Sequence, residues 1–410
     1  MKILWAGPNF LHPTTKGGQI RTLGILRQLS RRHEVHYVAF EDPAHPDAPE
    51  AAREYCARAY PIRHSVADKR SLRFAFEAAG ALFSRLPLAV SRFESPALRR
   101  KVEELLDRES FDRMVVDFLA MAPSCPDLGR SVLFQHNVET MIWRRRAEHA
   151  RGALRKMYLD LQARRMFEYE REVCRAAGHI IVVSKADAEL MHQMFGDVRV
   201  TEVPTGVDIE YFERPAFVRP GAELVFVGSM DWFPNVDGVL HFVQEVLPLI
   251  RRRRPECKFA IVGRKPPESI LKLGRTVPGV VVTGTVKDVR PYLWGASVSV
   301  VPLRIGGGTR LKIYESMAAG TPVVSTTVGA EGLEVHPPDD IRIADDPRDF
   351  AAHCLDLLED ERQRRQVAAR AWEMVRANYS WERVAELFAR VLERGGEMGP
   401  LARPAAAGQL

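Results

Sequence analysis

Residues 305–333 read IGGGTRLKIYESMAAGTPVVSTTVGAEGL, and this stretch combines a glycine-rich loop, a short helix and an apolar strand. Three consecutive glycines precede two cations, Arg310 and Lys312, and Glu315 follows on the same predicted helix. A glycine-rich loop that leads into a helix presents free N–H groups and the positive end of the helix dipole to an anion. Two neighbouring cations favour a diphosphate over a single carboxylate. The stretch therefore predicts a diphosphate site in an α/β domain.

Strands and helices alternate along the whole chain in both directions from this stretch. Short apolar runs predict strands at 2–6, 35–40, 113–117, 132–135, 179–183, 224–227, 259–262, 280–283, 297–301, 322–325 and 341–343. Helical periodicity and length predict helices at 18–32, 95–109, 153–176, 236–252, 269–273, 310–319, 349–358, 361–378 and 381–394. Continuous apolar strands separated by helices are typical of parallel sheets covered on both faces.

The length of 410 residues exceeds what one hydrophobic core usually supports, which predicts two doubly wound α/β domains. We predict an N-terminal domain over 1–214 and a C-terminal domain over 215–378, with a Pro-rich linker at 215–221. A last helix at 379–395 is predicted to pack back toward the N-terminal domain, and the Pro/Gly-rich tail at 396–410 is predicted to be disordered. Two such domains favour a ligand in a cleft between them.

The composition, 46% apolar and 27% charged residues, is that of an ordinary globular protein. Apolar runs are too short for a membrane-spanning helix, and the N-terminus lacks a signal-peptide core. Five scattered cysteines without a CxxC pair indicate a reducing compartment, so we expect the cytoplasm.

Basic residues are concentrated in one predicted helical region, although the net charge is only +6. They are Arg144, Arg145, Arg146, Arg151, Arg155, Lys156, Arg164 and Arg165. A solvated helix face accounts for such a run, and so does contact with an anionic membrane surface, at the inner face of the cell membrane, or with a phosphorylated acceptor. Nucleic acid is not expected, because few aromatic residues lie among these cations.

Polar residues after strands of the first half are candidates for a site, because ligands of α/β sheets lie at the carboxyl ends of strands. Gly17 and Gly18, with Arg21, begin the first helix and allow close approach of a phosphate or sugar, or form a flexible turn. His136 ends a strand and could contact a hydroxyl or donate a proton, or serve only the structure. Gly206 follows a short strand and is equally typical of a turn.

The second half offers a parallel set of candidates. Gly228 and Ser229 follow one strand, Arg264 follows the next, and Asn235 is predicted to cap a helix. The carboxylate of Glu315 could accept two ribose hydroxyls, or could pair with a cation of its own helix. The chain contains none of the motifs GxxxxGK[ST], GxSxG and HExxH and no DxD after a strand, so no metal and no cofactor are expected.

These segments together resemble family 4 glycosyltransferases of the GT-B fold, which have two Rossmann-like domains facing a deep cleft. The resemblance rests on the sequence from the glycine loop through GAEGL and on PTTKGGQIR, QHN, IIVVSKAD, VPTGVD, VFVGSMDWFPN and FAIVGR in the same order. It covers residues 1–394. The chain is also similar to sugar transferases of bacterial exopolysaccharide and PEP-CTERM/exosortase clusters.

The resemblance implies a retaining transfer of a sugar from a nucleotide-diphosphate donor to a hydroxyl of a saccharide or lipid-linked acceptor, without a metal. Glu315 would hold the ribose and His136 would contact the sugar. Donor-binding roles would fall to Gly206, Gly228, Ser229, Arg264, Gly306, Gly307, Gly308 and Thr309. The phosphates or the acceptor would lie near Gly17, Gly18 and Arg21.

The chain departs from the family pattern at three places. Gly307 stands where the family often has a glutamate, and Ser229 and Asn235 stand where an arginine and a lysine are common. Arg310 and Lys312 stand where uncharged residues are usual, so we expect these two cations to neutralise the diphosphate. A nucleotide-sugar epimerase and a non-catalytic nucleotide-sugar-binding protein are the alternative functions.

Overall fold

A computed structural model describes residues 1–14, 17–64, 71, 77, 80, 84–148, 150, 152–219, 221–305 and 310–394. The chain forms two compact units. Unit 1 contains Met1–Pro204 and the chain from Val384 onward, and unit 2 contains Thr205–Arg383.

The sheet of unit 1 has seven parallel strands in the order β3-β2-β1-β4-β5-β6-β7. The strands are β1 (Lys2–Gly7), β2 (Glu34–Phe40), β3 (Arg58–Ile62), β4 (Arg113–Asp117), β5 (Ser131–Phe134), β6 (His179–Val182) and β7 (Val200–Glu202). Central strands such as β4 are buried along their whole length, as continuous apolar runs require in a parallel sheet with helices on both faces.

Helices connect the successive strands of unit 1. They are α1 (Gly17–Leu29), α2 (Ala48–Ala51), α3 (Leu88–Ser91), α4 (Pro96–Arg108), α5 (Glu139–Glu148), α6 (Ala153–Ala176) and α7 (Lys185–Phe195). Short 3₁₀ turns cover Ala52–Glu54, Leu119–Ser124 and Leu128–Arg130.

The sheet of unit 2 has six parallel strands in the order β10-β9-β8-β11-β12-β13. They are β8 (Leu224–Val227), β9 (Phe259–Val262), β10 (Val280–Gly284), β11 (Val298–Val301), β12 (Val323–Ser325) and β13 (Arg342–Ile343).

The helices of unit 2 and the last helix of the chain complete the fold. They are α8 (Ile209–Phe212), α9 (Phe233–His241), α10 (Leu247–Arg253), α11 (Glu268–Thr276), α12 (Arg290–Gly295), α13 (Leu311–Ala318), α14 (Thr327–Ala330), α15 (Pro347–Glu359), α16 (Glu361–Tyr379) and α17 (Trp381–Arg394). A π-helical turn, Phe242–Val246, joins α9 to α10.

The strand order reverses once in each sheet, between β1 and β4 in unit 1 and between β8 and β11 in unit 2. The connections from these strands leave in opposite directions, which opens a crevice at the carboxyl end of the sheet. The strand ends that border the two reversal points are therefore the natural binding positions of each unit.

The two parallel-sheet domains predicted from the sequence are confirmed. The edge strand β3 was not predicted, because its sequence RAYPI contains a proline and charge that weaken the strand pattern. The helix predicted at 236–252 instead begins at Phe233 and contains the π-helical turn. The helix predicted from Arg310 begins at Leu311, so Arg310 precedes it.

The boundary between the units lies between Pro204 and Thr205, whereas the linker was predicted at 215–221. The residues between this boundary and the predicted linker, 205–214, belong to unit 2 because a hydrogen bond and core packing attach them to it. The N–H of Val207 donates to the carbonyl of Tyr379 at 2.7 Å, and the side chain of Phe212 is buried in the core of unit 2.

The last helix, α17, contributes Trp381 to unit 2 and its later turns to unit 1. Within unit 1, the ring of Phe388 stacks on the indole of Trp5 with centroids 5.4 Å apart, and Nε of Arg113 donates to the carbonyl of Leu392 at 2.7 Å. The predicted tail at 396–410 lies outside the described residues.

Gly206 is buried against Trp381, and a β-carbon at this position would lie 2.5 Å from the indole. We therefore expect Gly206→Ala to destabilise unit 2 by about 1–3 kcal/mol through overpacking. A lower midpoint of thermal unfolding, restored in part by the double variant Gly206→Ala/Trp381→Leu, would identify the indole as the cause. Gly17→Ala is the control, because a β-carbon there meets no described atom within 4 Å. An unchanged midpoint for Gly206→Ala contradicts the expectation.

Candidate functional site

Asp117 is the centre of a buried hydrogen-bond network at the carboxyl end of β4. Its Oδ1 lies 2.7 Å from Nε2 of His136, and its Oδ2 accepts from Oγ1 of Thr22 at 2.8 Å and from Nε1 of Trp5 at 3.1 Å. Asp117 was not predicted from the sequence. The available signal was its position at the carboxyl end of the strand RMVVD, which is comparable to the position of His136 just after β5. These contacts join β1, α1, β4 and β5 at the reversal point of unit 1.

The two ring nitrogens of His136 are hydrogen-bonded to side chains of opposite charge, Asp117 and Arg21. Nη1 of Arg21 donates to its Nδ1 at 2.8 Å, so Nδ1 carries no proton and Nε2 donates to Asp117. Burial is the main cause that lowers the pKa of His136, and it also lowers the pKa of Arg21 to about 10. The imidazole is therefore neutral with both nitrogens engaged, and contact with a ligand through either nitrogen requires one of these bonds to break.

A cavity of about 320 Å³ opens beside this network. Its lining includes Gly18 of α1, Asp117, Phe118 and Glu139 of α5. Phe118 has a φ of 74°, an uncommon conformation for a residue with a side chain, and its ring stacks on His136 with centroids 3.9 Å apart. Gly18 lies against the ring of Phe118, while Gly17 is exposed at the start of α1.

A second set of side chains meets at the reversal point of unit 2. Its members are Ser229, Asp231, Asn235, Arg264 and Lys312. Oγ of Ser229 donates to Asp231 at 2.6 Å and accepts from Nε of Arg264 at 2.8 Å. Asn235 was predicted to cap a helix, but it lies inside α9. Its amide instead donates to the carbonyl of Ser229 at 2.7 Å.

Lys312 reaches from α13 to the carboxyl end of β8. Its Nζ donates to Oδ1 of Asn235 at 2.8 Å and lies 4.3 Å from the ring centroid of Phe226, in a cation–π arrangement. A β-carbon on Gly228 would lie 2.6 Å from this ammonium, so the absence of a side chain at Gly228 makes the position of Lys312 possible. Sequence reasoning named Gly228 and Lys312 but did not predict that they touch.

The electrostatics of Lys312 are unusual for a lysine. Burial is the largest cause that lowers its pKa to about 7, and the charge of Arg310 lowers it further, while Glu315 opposes both. Arg310 is itself buried, immediately before α13. Arg310 and Lys312 are close enough for the charge of one to lower the pKa of the other, and a bound anion would relieve this repulsion.

Glu315 lies one turn after Lys312 on the same helix and is partly buried. Burial raises the pKa of its carboxyl group, and the charge of Lys312 counteracts this. Its carboxylate forms no hydrogen bond or ion pair with any described residue. The alternative of an ion pair within its own helix is therefore not realised, and the carboxylate keeps its full capacity to accept hydrogen bonds.

The predicted residues thus fall into separate groups. His136, Gly18 and Arg21 meet in unit 1. Gly228, Ser229, Arg264 and Lys312 lie in unit 2 around the carboxyl ends of its strands, and Glu315 lies one turn after Lys312 on α13. Gly206 is packed against Trp381. The predicted donor residues Gly306, Gly307, Gly308 and Thr309 lie outside the described residues. In the described part of the chain, no group of three His, Cys, Asp or Glu side chains could hold a metal ion, and no helix is long and apolar enough to cross a membrane.

Known proteins are similar to this chain over almost its whole length. A Klebsiella pneumoniae protein described as an uncharacterized 44.6 kDa protein in cps region is 20% identical over 395 residues, which cover 93% of this chain and 97% of the relative. Among solved structures, sucrose-phosphate synthase from Thermosynechococcus elongatus superposes with a TM-score of 0.69 at 15% identity, covering 96% of this chain and 98% of that one. Anabaena HepE in complex with UDP superposes with a TM-score of 0.65 at 14% identity, covering 96% and 100%.

Both halves of the chain also match family models. Residues 15–211 match the model described as Glycosyltransferase Family 4, and residues 221–360 match the model described as Glycosyl transferases group 1. The first match covers most of unit 1, and the second lies within unit 2. The chain therefore belongs to the family 4 glycosyltransferases and has their GT-B fold.

Proposed function

We propose that this glycosyltransferase is a retaining enzyme that moves a sugar from a nucleotide-diphosphate donor to a hydroxyl acceptor in exopolysaccharide or cell-surface glycan biosynthesis. The observation that carries the proposal is the arrangement of α13. This helix brings Lys312, with a lowered pKa, to the reversal point of the unit 2 sheet, and it carries Glu315, with an uncommitted carboxylate, one turn later.

Arg310 and Lys312 suit the charge that develops in such a transfer. When the bond between the anomeric carbon and the β-phosphate oxygen breaks, negative charge accumulates on the departing diphosphate. Preorganised cations in a partly buried site stabilise that charge more than water does. Lys312 is fixed by Asn235 and Phe226 before any ligand arrives, so little reorganisation is needed.

Glu315 suits the ribose of the donor. A carboxylate can accept hydrogen bonds from two neighbouring hydroxyls at once. Its partial burial and lack of a partner among the described residues leave this capacity unused in the free protein. A ribose would supply the donors that relieve the cost of burying the carboxylate.

Retention requires that the acceptor hydroxyl attack the anomeric carbon on the face from which the diphosphate leaves. The new bond joins the acceptor oxygen to that carbon, the bond to the β-phosphate oxygen breaks, and the acceptor proton passes to the departing oxygen. No protein nucleophile takes part. His136 remains a proposed sugar contact, provided that its bond to Arg21 or Asp117 opens.

Similar proteins support the donor class and the setting. The crystal structure of Anabaena HepE contains bound UDP, and the Klebsiella relative is described as a protein in a cps region. We extend both features to this chain as part of the proposal.

We also propose that unit 1 contacts an anionic membrane from the cytoplasmic side. Leu154 and Met157 at the start of α6 are 80% and 66% exposed, and exposed cations surround them at Arg155 and Lys156. Exposed Arg144, Arg145 and Arg146 lie on the preceding helix, which packs against α6. Apolar side chains flanked by cations are the pattern of an interfacial membrane contact, which would bring the enzyme to a lipid-linked acceptor.

Retention is tested by the stereochemistry of the product. Each of a set of UDP-, GDP- and ADP-sugars of known anomeric configuration is incubated with the enzyme and a panel of hydroxyl acceptors, and the product linkage is determined by NMR. We expect the product to keep the donor's configuration, and an inverted product would contradict the proposal. Epimerisation of the donor without an acceptor supports the epimerase alternative, and donor binding without turnover supports the non-catalytic one.

The role of Lys312 is tested by the pH dependence of nucleotide binding. A bound diphosphate favours the charged ammonium and so raises its pKa above the value of about 7 in the free protein. Affinity that depends on this charge is complete below that value and declines as pH rises toward the bound-state pKa. We expect the Kd of the nucleoside diphosphate to increase between pH about 7.5 and about 9.5, above the pKa of about 6 for a terminal phosphate.

Lys312→Arg should flatten this pH profile, because an arginine stays charged throughout the range. Lys312→Ala should weaken binding at the lower pH by about ten-fold or more, the loss expected for one hydrogen bond to a charged group. Lys272→Ala, an exposed lysine on α11, is the matched control and should bind like the wild type. An unaltered slope in Lys312→Arg would show that another group titrates.

The membrane contact is tested by co-sedimentation with liposomes. We expect binding to vesicles that contain anionic phospholipid, weaker binding to neutral vesicles, and release by salt. Leu154→Ser/Met157→Ser should reduce binding several-fold, and so should neutralisation of Arg144, Arg145 and Arg146. Phe217→Ser removes an equally exposed apolar residue, 81% exposed on unit 2, and should have no effect. Undiminished binding of the unit 1 variants would refute the contact.

A further inference from the structure

The cavity beside Asp117 has walls that are mostly apolar, although it lies beside a charged network. Its lining includes Val90, Phe93, Leu119 and Met166. A volume of about 320 Å³ is sufficient for a small organic group. It lies at the carboxyl ends of β1 and β4, the reversal point of the sheet, where α/β domains bind their ligands.

Most polar groups of this cavity are already committed to other residues. Both oxygens of Asp117 accept hydrogen bonds from His136, Thr22 and Trp5. The hydroxyl of Tyr37 donates to the carbonyl of Asn9 at 2.7 Å. These groups therefore have little capacity left for the many hydroxyls of a bare saccharide.

The carboxyl group of Glu139 is not committed in this way. Its backbone N–H donates to Oε1 of Glu170 at 2.9 Å, and the N–H of Thr140 donates to Oε2 of the same carboxylate at 2.8 Å. Glu170 thus fixes the first turn of α5 and with it the position of Glu139. The carboxyl group of Glu139 itself forms no hydrogen bond or ion pair with any described residue, although it lines the cavity.

The surroundings of Glu139 also resist its ionisation. Burial is the main cause that raises its pKa to about 7, the neighbouring charge of Glu170 adds to this, and Arg146 opposes it. A partly buried carboxyl group without a partner is costly, and a ligand hydroxyl would relieve that cost.

We infer that the acceptor places an apolar group in this cavity and hydrogen-bonds a hydroxyl to Glu139, which makes Glu139 a specificity-determining residue. This inference rests on the proposed function, because it names the class of acceptor: an amphipathic molecule, with hydrocarbon or an aromatic ring beside its hydroxyl, rather than a free saccharide. The apolar walls favour hydrocarbon, whereas each sugar hydroxyl placed against them would lose its water without gaining a partner.

The first experiment measures binding, independently of transfer. Alkyl glucosides from methyl to octyl, below their micelle-forming concentrations, are titrated into the full-length protein by calorimetry. We expect affinity to increase by about three- to four-fold for each added methylene until the cavity is full. Equal affinity for the methyl and octyl compounds, or no measurable binding of either, overturns the inference.

Two variants fill the cavity from different walls, Ala89→Phe and Ala120→Phe, so that failure of one to fold leaves the other. Each should abolish the preference for octyl over methyl glucoside. Ala51→Phe, at an exposed position outside the cavity lining, is the matched control and should keep the preference. Wild-type binding by both filled variants would also overturn the inference.

The second experiment measures transfer with the donor that the nucleotide-sugar screen identifies. Measured well above pH 7, where the carboxyl group of Glu139 is ionised, Glu139→Gln should raise the acceptor KM by about ten-fold, the effect of weakening one hydrogen bond to a charged group, with kcat and the donor Kd little changed. A merely structural role would alter donor binding or stability as well. If transfer proceeds with the same KM for every chain length, the inference fails and the proposed function stands. If chain-length-dependent binding occurs but no donor is turned over, the proposed function fails and the cavity remains an apolar ligand site.

Discussion

Parallel pairing of every strand is the constraint on which the other features of this protein depend. It sends all carboxyl strand ends of a sheet to one edge, and the reversal of strand order then leaves one crevice at that edge in each unit. The crevice of unit 1 lies between β1 and β4 and carries Asp117, while that of unit 2 lies between β8 and β11 and carries Lys312 through the following helix. Chemistry is concentrated there because the rest of each strand is buried under helices.

The two edges handle buried charge in opposite ways. In unit 1 the charge of Asp117 is met by three donors, and His136 is satisfied on both nitrogens, so the network is closed and rigid. In unit 2 the carboxylate of Glu315 has no hydrogen-bond or ion-pair partner among the described residues, and burial, together with the charge of Arg310, lowers the pKa of Lys312. A closed network specifies structure, whereas an open one leaves interaction energy available for a ligand.

The departures from the family pattern acquire a physical explanation in unit 2. Gly228 leaves room at the end of β8, and the ammonium of Lys312 fills that room from the other side of the reversal point. Asn235, which stands where the family commonly has a lysine, holds this ammonium by a hydrogen bond. A positive charge is thus kept beside the end of β8, although it is carried by Lys312 of α13 and not by a residue of α9. This agrees with the proposal that Lys312 and Arg310 neutralise the diphosphate.

The sequence by itself determined the two α/β domains, most strands and helices, and the family, because apolar runs, helical periodicity and strand-end glycines are local patterns. It also indicated Lys312, Glu315 and His136 as candidates. Only the tertiary structure decided their partners: Asp117 and Arg21 for His136, and Asn235 for Lys312 at a separation of 77 residues. The apolar cavity at Glu139 likewise depends on seven separate chain segments that meet, from Pro8 to Met166. Such pairings follow from strand order and packing between distant segments, which no local pattern records.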